Sequence, residues 1–510
     1  MPFNAVFSHI IKRRLPRIEN YTSSPISCQL NVLLTLVQRA KQTEFGKTYH
    51  FSKIKSFNDF KEKVPLSNYD TLFPLIKKQI NGEKDILWPG STNWFAKSSG
   101  TTTKTEKLLP ITTDSLYENH YAGGKDLLAL YYKNYEKRKL YNAKHLIIGG
   151  STQINAQANN TSIGDLSAFI VENLPWWTEI RRTPKREIAL MDNWEKKLDQ
   201  MARATVGDNI CIVAGMPTWT LVLFEKVLEI TGNKNIHEVW PNLELYIHGG
   251  MNIAPYKERF KKLLPNSKMN YVQSYNSSEG YFGLQDLKDA NDMLLLTNAQ
   301  IFYEFIPMEE FDGLHSQSVV GLKDVKTGIE YALVISTSAG LWRYIIGDTI
   351  QFSSIKPYRF VVTGRTTHYM NAFGEKTIIA HVEKAIAQAA KIHNVEISDF
   401  TVGPYFQKLK GSGGHQWVIA VKNQQQINLS NFEKSIEENM KALNVDYKGK
   451  RKGDFNMMPP KFNYVKKEDF EHWLKSKNKL GGQHKIPRLQ NDRLLIQELL
   501  ERNQKSPRNH

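Results

Sequence analysis

NICIVAG at residues 209–215, WTLVLFEKVLEIT at 219–231 and LELYIHGG at 243–250 form the stretch that decides the fold. The first and third segments are short, continuous apolar runs that end in glycine, as is typical of buried strands. The segment between them has apolar residues at helical spacing and is long enough for a helix. A strand, a helix and a second strand in succession are typical of an α/β protein.

The same alternation continues on both sides of this stretch. Further apolar runs with terminal glycine or polar turn residues predict strands at 145–150, 269–275, 293–297, 331–337 and 359–364. The first 90 residues differ, because segments such as 24–49 carry apolar positions at helical spacing after a Ser-Pro start signal. The sequence therefore predicts a mainly helical beginning followed by an α/β domain.

A second domain is predicted after the polar, glycine-containing segment GRTTHYMNAFGEKTII at 364–379. A fresh pattern of helix, two strands and helix follows, and residues 376–510 carry 24 basic and 14 acidic side chains, a net +10 of the total +17. We expect an N-terminal domain at 1–373, a hinge at 374–381 and a smaller mobile C-terminal domain at 382–510.

Composition limits the class of protein. The chain has 510 residues, 41% of them hydrophobic, which excludes a wholly disordered chain. The net charge of +17 favours anionic partners. Two distant cysteines, Cys28 and Cys211, give no disulfide framework and suit a reducing compartment. Without a secretory signal or an apolar run long enough to span a membrane, we expect a cytoplasmic protein.

The segment KSSGTTTKTEKLLP at 97–110 is the first candidate binding motif. Its hydroxyl groups and the backbone N–H groups around Gly100 offer several donors to phosphate oxygens, and Lys104 and Lys107 add positive charge. From composition alone, a solvated surface loop without a ligand is the commoner alternative.

The second motif is QSYNSSEGYFG at 273–283, directly after a predicted strand. Glu279, at the end of that strand, offers an oxygen ligand for a hard cation, and the ring of Tyr275 or Tyr281 could stack on a base. A strand-end turn with a surface glutamate explains the pattern equally well.

The third motif is WRYIIGDTI at 342–350, where Asp348 stands at a Gly-Asp turn. A carboxylate in this place can accept hydrogen bonds from two ribose hydroxyls. An aspartate that serves only its own turn is the commoner case.

Three basic residues complete the candidate set. Arg365 and Lys376 lie at the predicted joint, where they could bind a phosphate if a cleft closes. Lys485 lies in LGGQHKIPR at 480–488, after a flexible Gly-Gly pair. Each of these side chains, taken alone, is more often a solvated surface charge.

The order of these motifs resembles the adenylate-forming superfamily of acyl-CoA synthetases, luciferases and peptide-synthetase adenylation domains. Within it, the chain is most similar to the auxin-responsive acyl-acid amido synthetases, including their bacterial-type members. The strings SSGTT at 98–102, YNSSEGYFG at 275–283 and YIIGD at 344–348 carry the resemblance, with FGEKT at 373–377 and QHKIPR at 483–488. It spans most of the chain and implies a multi-layer N-terminal domain with a β-barrel-like part.

The resemblance also implies roles for individual residues. It implies a phosphate loop formed by Ser98, Ser99, Gly100, Thr101 and Thr102 with Lys107, and a loop against the adenine formed by Gly249 and Gly250. It implies that Glu279, beside Tyr275, Ser277 and Ser278, faces magnesium and phosphate, and that Asp348 is the ribose carboxylate. Arg365 and Lys376 are the implied basic groups at the joint, and Lys485 is the implied mobile lysine. Lys104 replaces a second glycine that plant members usually have in the phosphate loop. Residues 114–132 match the helix that lines the acyl pocket in the family.

The implied function is ATP- and Mg²⁺-dependent adenylation of a small carboxylic acid, followed by transfer of the acyl group to an amine, usually that of an amino acid. We expect a monomer or weak dimer without nucleic-acid or membrane partners. Two alternatives remain open at this point: a thioester-forming ligase that uses coenzyme A, and a basic nucleic-acid-binding protein. The second has little support, because the chain has no arginine-rich tract and no RNA-binding signature.

Overall fold

The computed structural model describes residues 2–98, 107–135, 138, 140–150, 155–156, 160–251, 253–366, 369–370, 372–373, 375, 377–406, 413–422, 427–451, 457–477, 485–490 and 492–505. The chain divides into two compact units. The first consists of Met1–Gly250 and Asn266–Val362, and the second of Met251–Pro265 and Thr363–His510. Both contain helices and strands, which confirms the predicted α/β class.

The described residues form nineteen α-helices. These are α1 Pro2–Lys12, α2 Leu15–Ser23, α3 Pro25–Ala40, α4 Glu44–Thr48, α5 Phe57–Lys63, α6 Tyr69–Ile80, α7 Tyr121–Asn134, α8 Leu166–Glu172, α9 Trp176–Glu179, α10 Arg186–Ala189, α11 Trp194–Thr205, α12 Pro217–Thr231, α13 Ile236–Val239, α14 Lys257–Leu263, α15 Ile379–His393, α16 Leu429–Leu443, α17 Val445–Lys450, α18 Lys467–Ser476 and α19 Leu494–Lys505. The helical beginning of the chain is therefore confirmed. No helix in the described part of the chain has the length and apolar character needed to cross a membrane.

The described residues also form twenty-one strands. These are β1 Trp94–Ser98, β2 Lys107–Ile111, β3 Lys144–Ile148, β4 Asn155–Ala156, β5 Ser162–Gly164, β6 Arg182–Thr183, β7 Ile210–Gly215, β8 Leu245–Gly249, β9 Asn270–Ser277, β10 Gly280–Leu284, β11 Met293–Leu295, β12 Ile301–Pro307, β13 Val320–Gly321, β14 Glu330–Thr337, β15 Tyr344–Ile355, β16 Tyr358–Arg365, β17 Tyr369–Met370, β18 Thr377–Ile378, β19 Ile397–Phe406, β20 Gly413–Val421 and β21 Lys461–Tyr464. Every apolar run interpreted above as a strand of the first unit overlaps one of them.

One twelve-stranded sheet dominates the first unit, in the order β13-β12-β14-β15-β16-β11-β10-β9-β8-β7-β3-β6. The strands β6, β3, β7, β8 and β9 are parallel to one another. From β9 onward the pairing becomes antiparallel, through β10 and β11 to β16. The antiparallel strands, which we compare with the expected barrel-like part, thus belong to the same sheet as the parallel strands.

The helix α12 connects two adjacent parallel strands, as the sequence predicts. Pro217 occupies its first turn, where the missing N–H costs no intrahelical hydrogen bond. Gly232 follows the last turn with a φ of +72°, a left-handed conformation that glycine adopts without strain. These two residues mark the two ends of α12.

The second unit contains a three-stranded sheet in the order β19-β20-β21. Apolar side chains of α15, α16 and the sheet form its core, including Ile386, Phe432 and Trp417. The helix α14 and the turn before it belong to this unit, although they lie between β8 and β9 in sequence. The sequence pattern does not predict that assignment. The hinge at 374–381 stays a prediction.

The largest core lies where the N-terminal helices pack on the antiparallel strands. Trp342, fully buried, donates from Nε1 to the carbonyl of Leu87 at 3.0 Å. The rings of Phe45 and Phe51 pack against it, with centroid distances of 6.1 and 4.7 Å. These contacts fix the chain immediately before β15, the strand that carries Asp348.

A buried ion pair lies beside this aromatic cluster. The Nε atom of Arg343 donates to both carboxylate oxygens of Glu304 at 3.0 Å, and its Nη1 atom donates to the carbonyls of Lys61 and Val64 at 3.1 and 2.6 Å. Glu304 is 0% exposed and Arg343 is 3% exposed. One guanidinium thereby joins β12 to the segment around the end of α5.

We expect Glu304→Gln to lower the free energy of unfolding by about 3–5 kcal/mol, because the guanidinium then stays buried without its counter-charge. Asp199→Asn is the matched control, since its partner Arg203 is exposed and an exposed ion pair contributes little to stability. Urea unfolding followed by tryptophan fluorescence measures both. Similar losses for the two variants would contradict a structural role for the buried pair.

Candidate active site

The carboxyl ends of the parallel strands meet at one edge of the large sheet. Ile148 pairs with Gly215, and Gly249 pairs with Ser274, so that β3, β7, β8 and β9 end near one another. Ligands of α/β proteins bind at this kind of edge, where loops leave the strands. The second sequence motif lies on β9 and β10, and the third lies on β15 of the same sheet.

Asp348 and Tyr275 come together although they are 73 positions apart. The hydroxyl of Tyr275 donates a hydrogen bond to Oδ2 of Asp348 at 2.6 Å. Gly347 precedes the aspartate with a φ of +88°, where the pairing of β14 with β15 shifts register, so this irregularity uses the conformational freedom of glycine. Asp348 therefore lies within a strand, and the predicted Gly-Asp turn is wrong. Asp348 is half-buried, and a carboxylate can accept hydrogen bonds from ligand hydroxyl groups. The structure thus joins two predicted site residues.

The ring of Tyr275 is fixed by apolar neighbours. Phe282 and Phe360 lie at centroid distances of 4.9 and 5.9 Å from it, and the tyrosine is buried. Because the ring cannot move freely, the hydroxyl holds the Asp348 carboxylate in one orientation.

Glu279 lies in the turn between β9 and β10. Its Oε2 atom accepts a hydrogen bond from the hydroxyl of Ser277 at 2.5 Å, and the carboxylate is half-buried. The neighbouring hydroxyl of Ser278 is buried and has no hydrogen-bond partner within the described residues. This turn therefore presents a carboxylate and two hydroxyl groups, a donor set of the hard-oxygen type.

Gly249 is the last residue of β8, and Gly250 follows it at the same edge. A Cβ atom on Gly249 would lie 2.5 Å from the carbonyl oxygen of Ser274, so any other residue would displace the β9 backbone. Gly250 has a φ of +76°, in the left-handed region. Both positions require glycine, which lets the loop turn close to the end of β9.

Asn119 connects a helical turn to the backbone of β10, and sequence analysis did not identify it. Its Nδ2 atom donates to the carbonyls of Tyr281 and Ala299 at 3.0 and 2.8 Å, and its Oδ1 atom accepts from the Tyr281 amide at 2.7 Å. It lies in a π-helical turn, Ser115–His120, which continues into α7. Irregular turns of this kind frequently occur at functional sites.

The next turn of the same helix packs closely on the same strand. A Cβ atom on Gly123 would lie 2.6 Å from the ring of Tyr281, so glycine permits the close approach. Burial lowers the pKa of His120 to about 4, which keeps its ring neutral at pH 7. The segment predicted to line an acyl pocket is therefore held against β10.

Lys197 is a second functional candidate that sequence reasoning missed. Fully buried, it donates to the carbonyls of Gly149, Gly150 and Ala189 at 3.1, 2.5 and 2.7 Å. Burial lowers its pKa to about 8, although the Asp165 carboxylate opposes this shift. The lysine supports the loop after β3. In sequence it cannot be distinguished from the surface lysines of an amphipathic helix.

The remaining predicted residues lie on other elements of the chain or outside the described residues. Ser98 ends β1 and pairs with Lys107 at the start of β2, so the hydroxyl-rich segment connects an antiparallel pair. Ser99, Gly100, Thr101, Thr102 and Lys376 lie outside the described residues. Arg365 ends β16, and Lys485 is exposed; both belong to the second unit.

Three family models match consecutive parts of the chain. They are the GH3 family N-terminal domain at residues 14–269, the GH3 family central domain at 294–365 and the GH3 family C-terminal domain at 380–494. The three ranges follow the order of the chain and leave only short segments unmatched.

Relatives and solved structures agree with these matches. The indole-3-acetic acid-amido synthetase GH3.4 of Arabidopsis thaliana is 24% identical over 559 residues, covering 93% of this chain and 91% of that protein. The structure of the GH3.15 acyl acid amido synthetase has a TM-score of 0.78 at 20% identity and covers 96% of both chains. The structure of 2-hydroxyisobutyryl-CoA ligase in its postadenylation state has a TM-score of 0.56 at 12% identity, covering 94% of this chain and 92% of that one. Both structures share the fold of this chain.

We expect Lys197→Met to lower the free energy of unfolding by about 2–3 kcal/mol, because three carbonyl groups lose their donor. The neighbouring Lys196 is exposed, so Lys196→Met is a matched control with an effect within about 0.5 kcal/mol. Chemical denaturation of the two variants measures the difference. Equal stability would show that the carbonyl groups find other donors.

Proposed function

This chain belongs to the GH3 family, and on that premise we propose that it is an ATP-dependent acyl acid amido synthetase. In the first step, an oxygen of a carboxylic acid attacks the α-phosphorus of ATP, and pyrophosphate leaves. In the second, an amine attacks the carbonyl carbon of the acyl-adenylate, AMP leaves, and the amine proton passes to solvent. The resemblance read from the motifs is confirmed.

The meeting of Tyr275 and Asp348 is the observation that supports this function most directly. The 2.6 Å hydrogen bond joins two motifs at the carboxyl edge of the sheet, and the adjacent Gly249–Gly250 loop provides a close backbone surface. A carboxylate with a fixed orientation suits two ribose hydroxyl groups. We infer that the nucleoside binds here, with Asp348 at the ribose and the Gly249–Gly250 loop at the adenine.

The phosphate groups have their own donors in the proposal. The hydroxyl and amide groups come from Ser98, Ser99, Gly100, Thr101 and Thr102, at the end of β1 and in the segment before β2. The basic side chains that add charge are Lys107, Arg365 and Lys376. Donors of this kind stabilise charge that develops on phosphate oxygens during the reaction.

Glu279 is the proposed protein ligand for Mg²⁺. The described residues contain no cluster of three or more acidic, histidine or cysteine side chains suited to a metal ion. One carboxylate with adjacent Ser277 and Ser278 hydroxyls nevertheless fits Mg²⁺ that arrives with the nucleotide, since this ion commonly takes one or two carboxylates together with substrate phosphates. Bound there, Mg²⁺ supplies charge neutralisation at the phosphates.

Lys485 is the proposed cation for the adenylation step. The reaction brings a carboxylate toward a polyphosphate, so added positive charge lowers its barrier. An exposed lysine performs this role with its ordinary positive charge. We further propose that the hinge at 374–381 lets the C-terminal domain move Lys485 toward the phosphates, which also excludes water from the adenylate.

The remaining parts of the proposal concern substrates and setting. The acid is a small carboxylic acid, the acceptor is the amino group of an amino acid, and the enzyme acts as a monomer or weak dimer in the cytoplasm without nucleic-acid or membrane partners. The names of the curated relatives support the amide product, because those proteins are amido synthetases.

A pyrophosphate-release screen over carboxylic acids, with indole-3-acetic acid among them, tests the reaction. We expect acid-dependent release of pyrophosphate, and AMP release that rises on addition of mixed amino acids, with the amide identified by mass spectrometry. Coenzyme A replaces the amino acids in the control. AMP release that depends on the thiol would establish a thioester-forming ligase instead, and oligonucleotide binding without acid-dependent turnover would favour the nucleic-acid alternative.

We expect Asp348→Asn and Glu279→Gln to separate kinetically. The first should raise the KM for ATP about tenfold, because a ribose contact is made equally in the ground and transition states. The second should lower kcat about 10²-fold and increase the Mg²⁺ concentration needed. Tyr275→Phe is the control for carboxylate orientation, with a smaller rise in KM than Asp348→Asn. A pure KM effect in both carboxylate variants would refute these roles.

A further inference from the structure

The segment that follows Lys485 is attached to the second unit along its whole described length. Ile486 and Leu489 are buried, and Leu489 forms a parallel bridge with Val402 of β19. The Val402 amide donates to the carbonyl of Arg488 at 2.9 Å, and the Gln490 amide donates to the carbonyl of Val402 at 2.8 Å. Residues 486–490, the anchor strip, therefore fix the backbone on the C-terminal side of Lys485.

Arg488 is the centre of the anchor strip. Its Nη1 atom donates to the carboxylate of Asp399 and, at 2.8 Å, to the carbonyl of Phe400, while its Nη2 atom donates to the hydroxyl of Tyr256. Its guanidinium also lies 4.5 Å from the centroid of the Phe400 ring. The residue is 8% exposed, so contacts with Asp399, Phe400 and Tyr256 hold one buried cation.

Arg488 and Tyr256 keep the protonation states that the hydrogen bond between them requires. Burial alone would lower the pKa of Arg488, but the Asp399 carboxylate raises it, so the guanidinium stays charged. Burial raises the pKa of Tyr256, so its hydroxyl stays neutral and accepts from Nη2. The charge of Glu383 on α15 acts on both groups in the same directions as Asp399.

Tyr256 reaches Arg488 from an unexpected part of the chain. It lies in Met251–Pro265, which belongs to the second unit and begins one residue after Gly250. The proposed adenine loop and the residue that contacts Arg488 are thus joined by six peptide bonds. The hydroxyl of Thr401 adds a further contact to the strip by donating to the carbonyl of Pro487 at 2.6 Å.

We propose that Arg488, held by Asp399 and Tyr256, is a positioning residue that sets the place of the Lys485 ammonium for adenylation. The inference rests on the proposed function, in which Lys485 supplies charge to the phosphates. Arg488 acts through the anchor strip. Displacement of a catalytic group by about 1 Å is enough to reduce a rate about 10²-fold.

Four variants of the full chain test the proposal: Arg488→Met, Tyr256→Phe, Lys485→Ala and the double variant Lys485→Ala/Arg488→Met. Arg493→Met is the matched control, because Arg493 follows the strip in sequence and donates to Gln416 at 2.8 Å. Acid-dependent pyrophosphate release is measured with the most active acid of the screen. Circular dichroism and thermal unfolding establish that each variant folds.

We expect Lys485→Ala to lower kcat for adenylation about 10²- to 10³-fold, because the reaction loses one charge-stabilising group. Arg488→Met should lower kcat about 10²-fold with the KM for ATP unchanged within about twofold. Tyr256→Phe should lower kcat about three- to tenfold, because it removes one hydrogen bond of Arg488. The double variant should be no slower than Lys485→Ala, because residues that act as a unit are not additive.

Hydrogen–deuterium exchange provides a readout that needs no substrate. In Arg488→Met and, to a smaller extent, Tyr256→Phe, we expect faster exchange in peptides covering 485–490, with β20 unchanged. Unaltered exchange in both variants, or rates equal to the parent, would overturn the positioning role. A double variant slowed by the product of the two single effects would also overturn it. A parental rate in Lys485→Ala would refute the proposed function of that lysine independently of the exchange result.

If Arg488→Met does not fold, Tyr256→Phe decides the question, because it keeps the Arg488–Asp399 pair and removes one acceptor. Normal exchange and normal rates in Tyr256→Phe would then count against the proposal. Loss of protection at 485–490 together with a lower kcat, and no change in Arg493→Met, would support it.

Discussion

The ion pair between Arg343 and Glu304 is the constraint on which the first unit depends. Burying two charges is costly, so the pair persists only because its hydrogen bonds are complete. Besides the carboxylate, the guanidinium satisfies the carbonyls of Lys61 and Val64, and the Arg343 carbonyl accepts from the Ser67 amide at 2.9 Å. Strand, helix end and loop therefore share one set of bonds. Arg343 itself has a φ of +43°, a conformation that the neighbouring contacts maintain.

The site inherits its geometry from that constraint. Asp348 stands five positions after Arg343, and Tyr275 reaches it from β9 across the sheet. Lys197 supports the loop after β3, and Arg343 supports the start of β15. Each is a buried cation that donates to carbonyl groups outside regular pairing. Asn119 satisfies three backbone groups without charge. The site is thus supported by side chains whose partners are backbone atoms.

Apolar runs in the sequence predict β3, β7, β8, β9, β11, β14 and β16 and the helix between β7 and β8. The roles of Asp348 and Glu279 stay predictions. Apolar periodicity and glycine punctuation are local signals, and local structure follows from them. The sequence does not identify Asn119 and Lys197 as important, because the carbonyl groups they bind come close to them only in the tertiary fold. The same reason explains the assignment of Met251–Pro265, whose amphipathic pattern contains no information on which unit it packs against. The shared Tyr275–Asp348 bond required two motifs to be placed in space.

The position of Tyr256 in the second unit has a consequence for how the chain acquires its structure. Tyr256 and Arg488 are 232 positions apart, and closing so long a loop costs entropy before the contact is made. During synthesis, Tyr256, 1% exposed in the finished protein, leaves the ribosome long before its partner exists. The second unit therefore completes its core late, after most of the chain has been translated. Long-range contacts of this kind slow folding and extend the time for which apolar surface is exposed to aggregation.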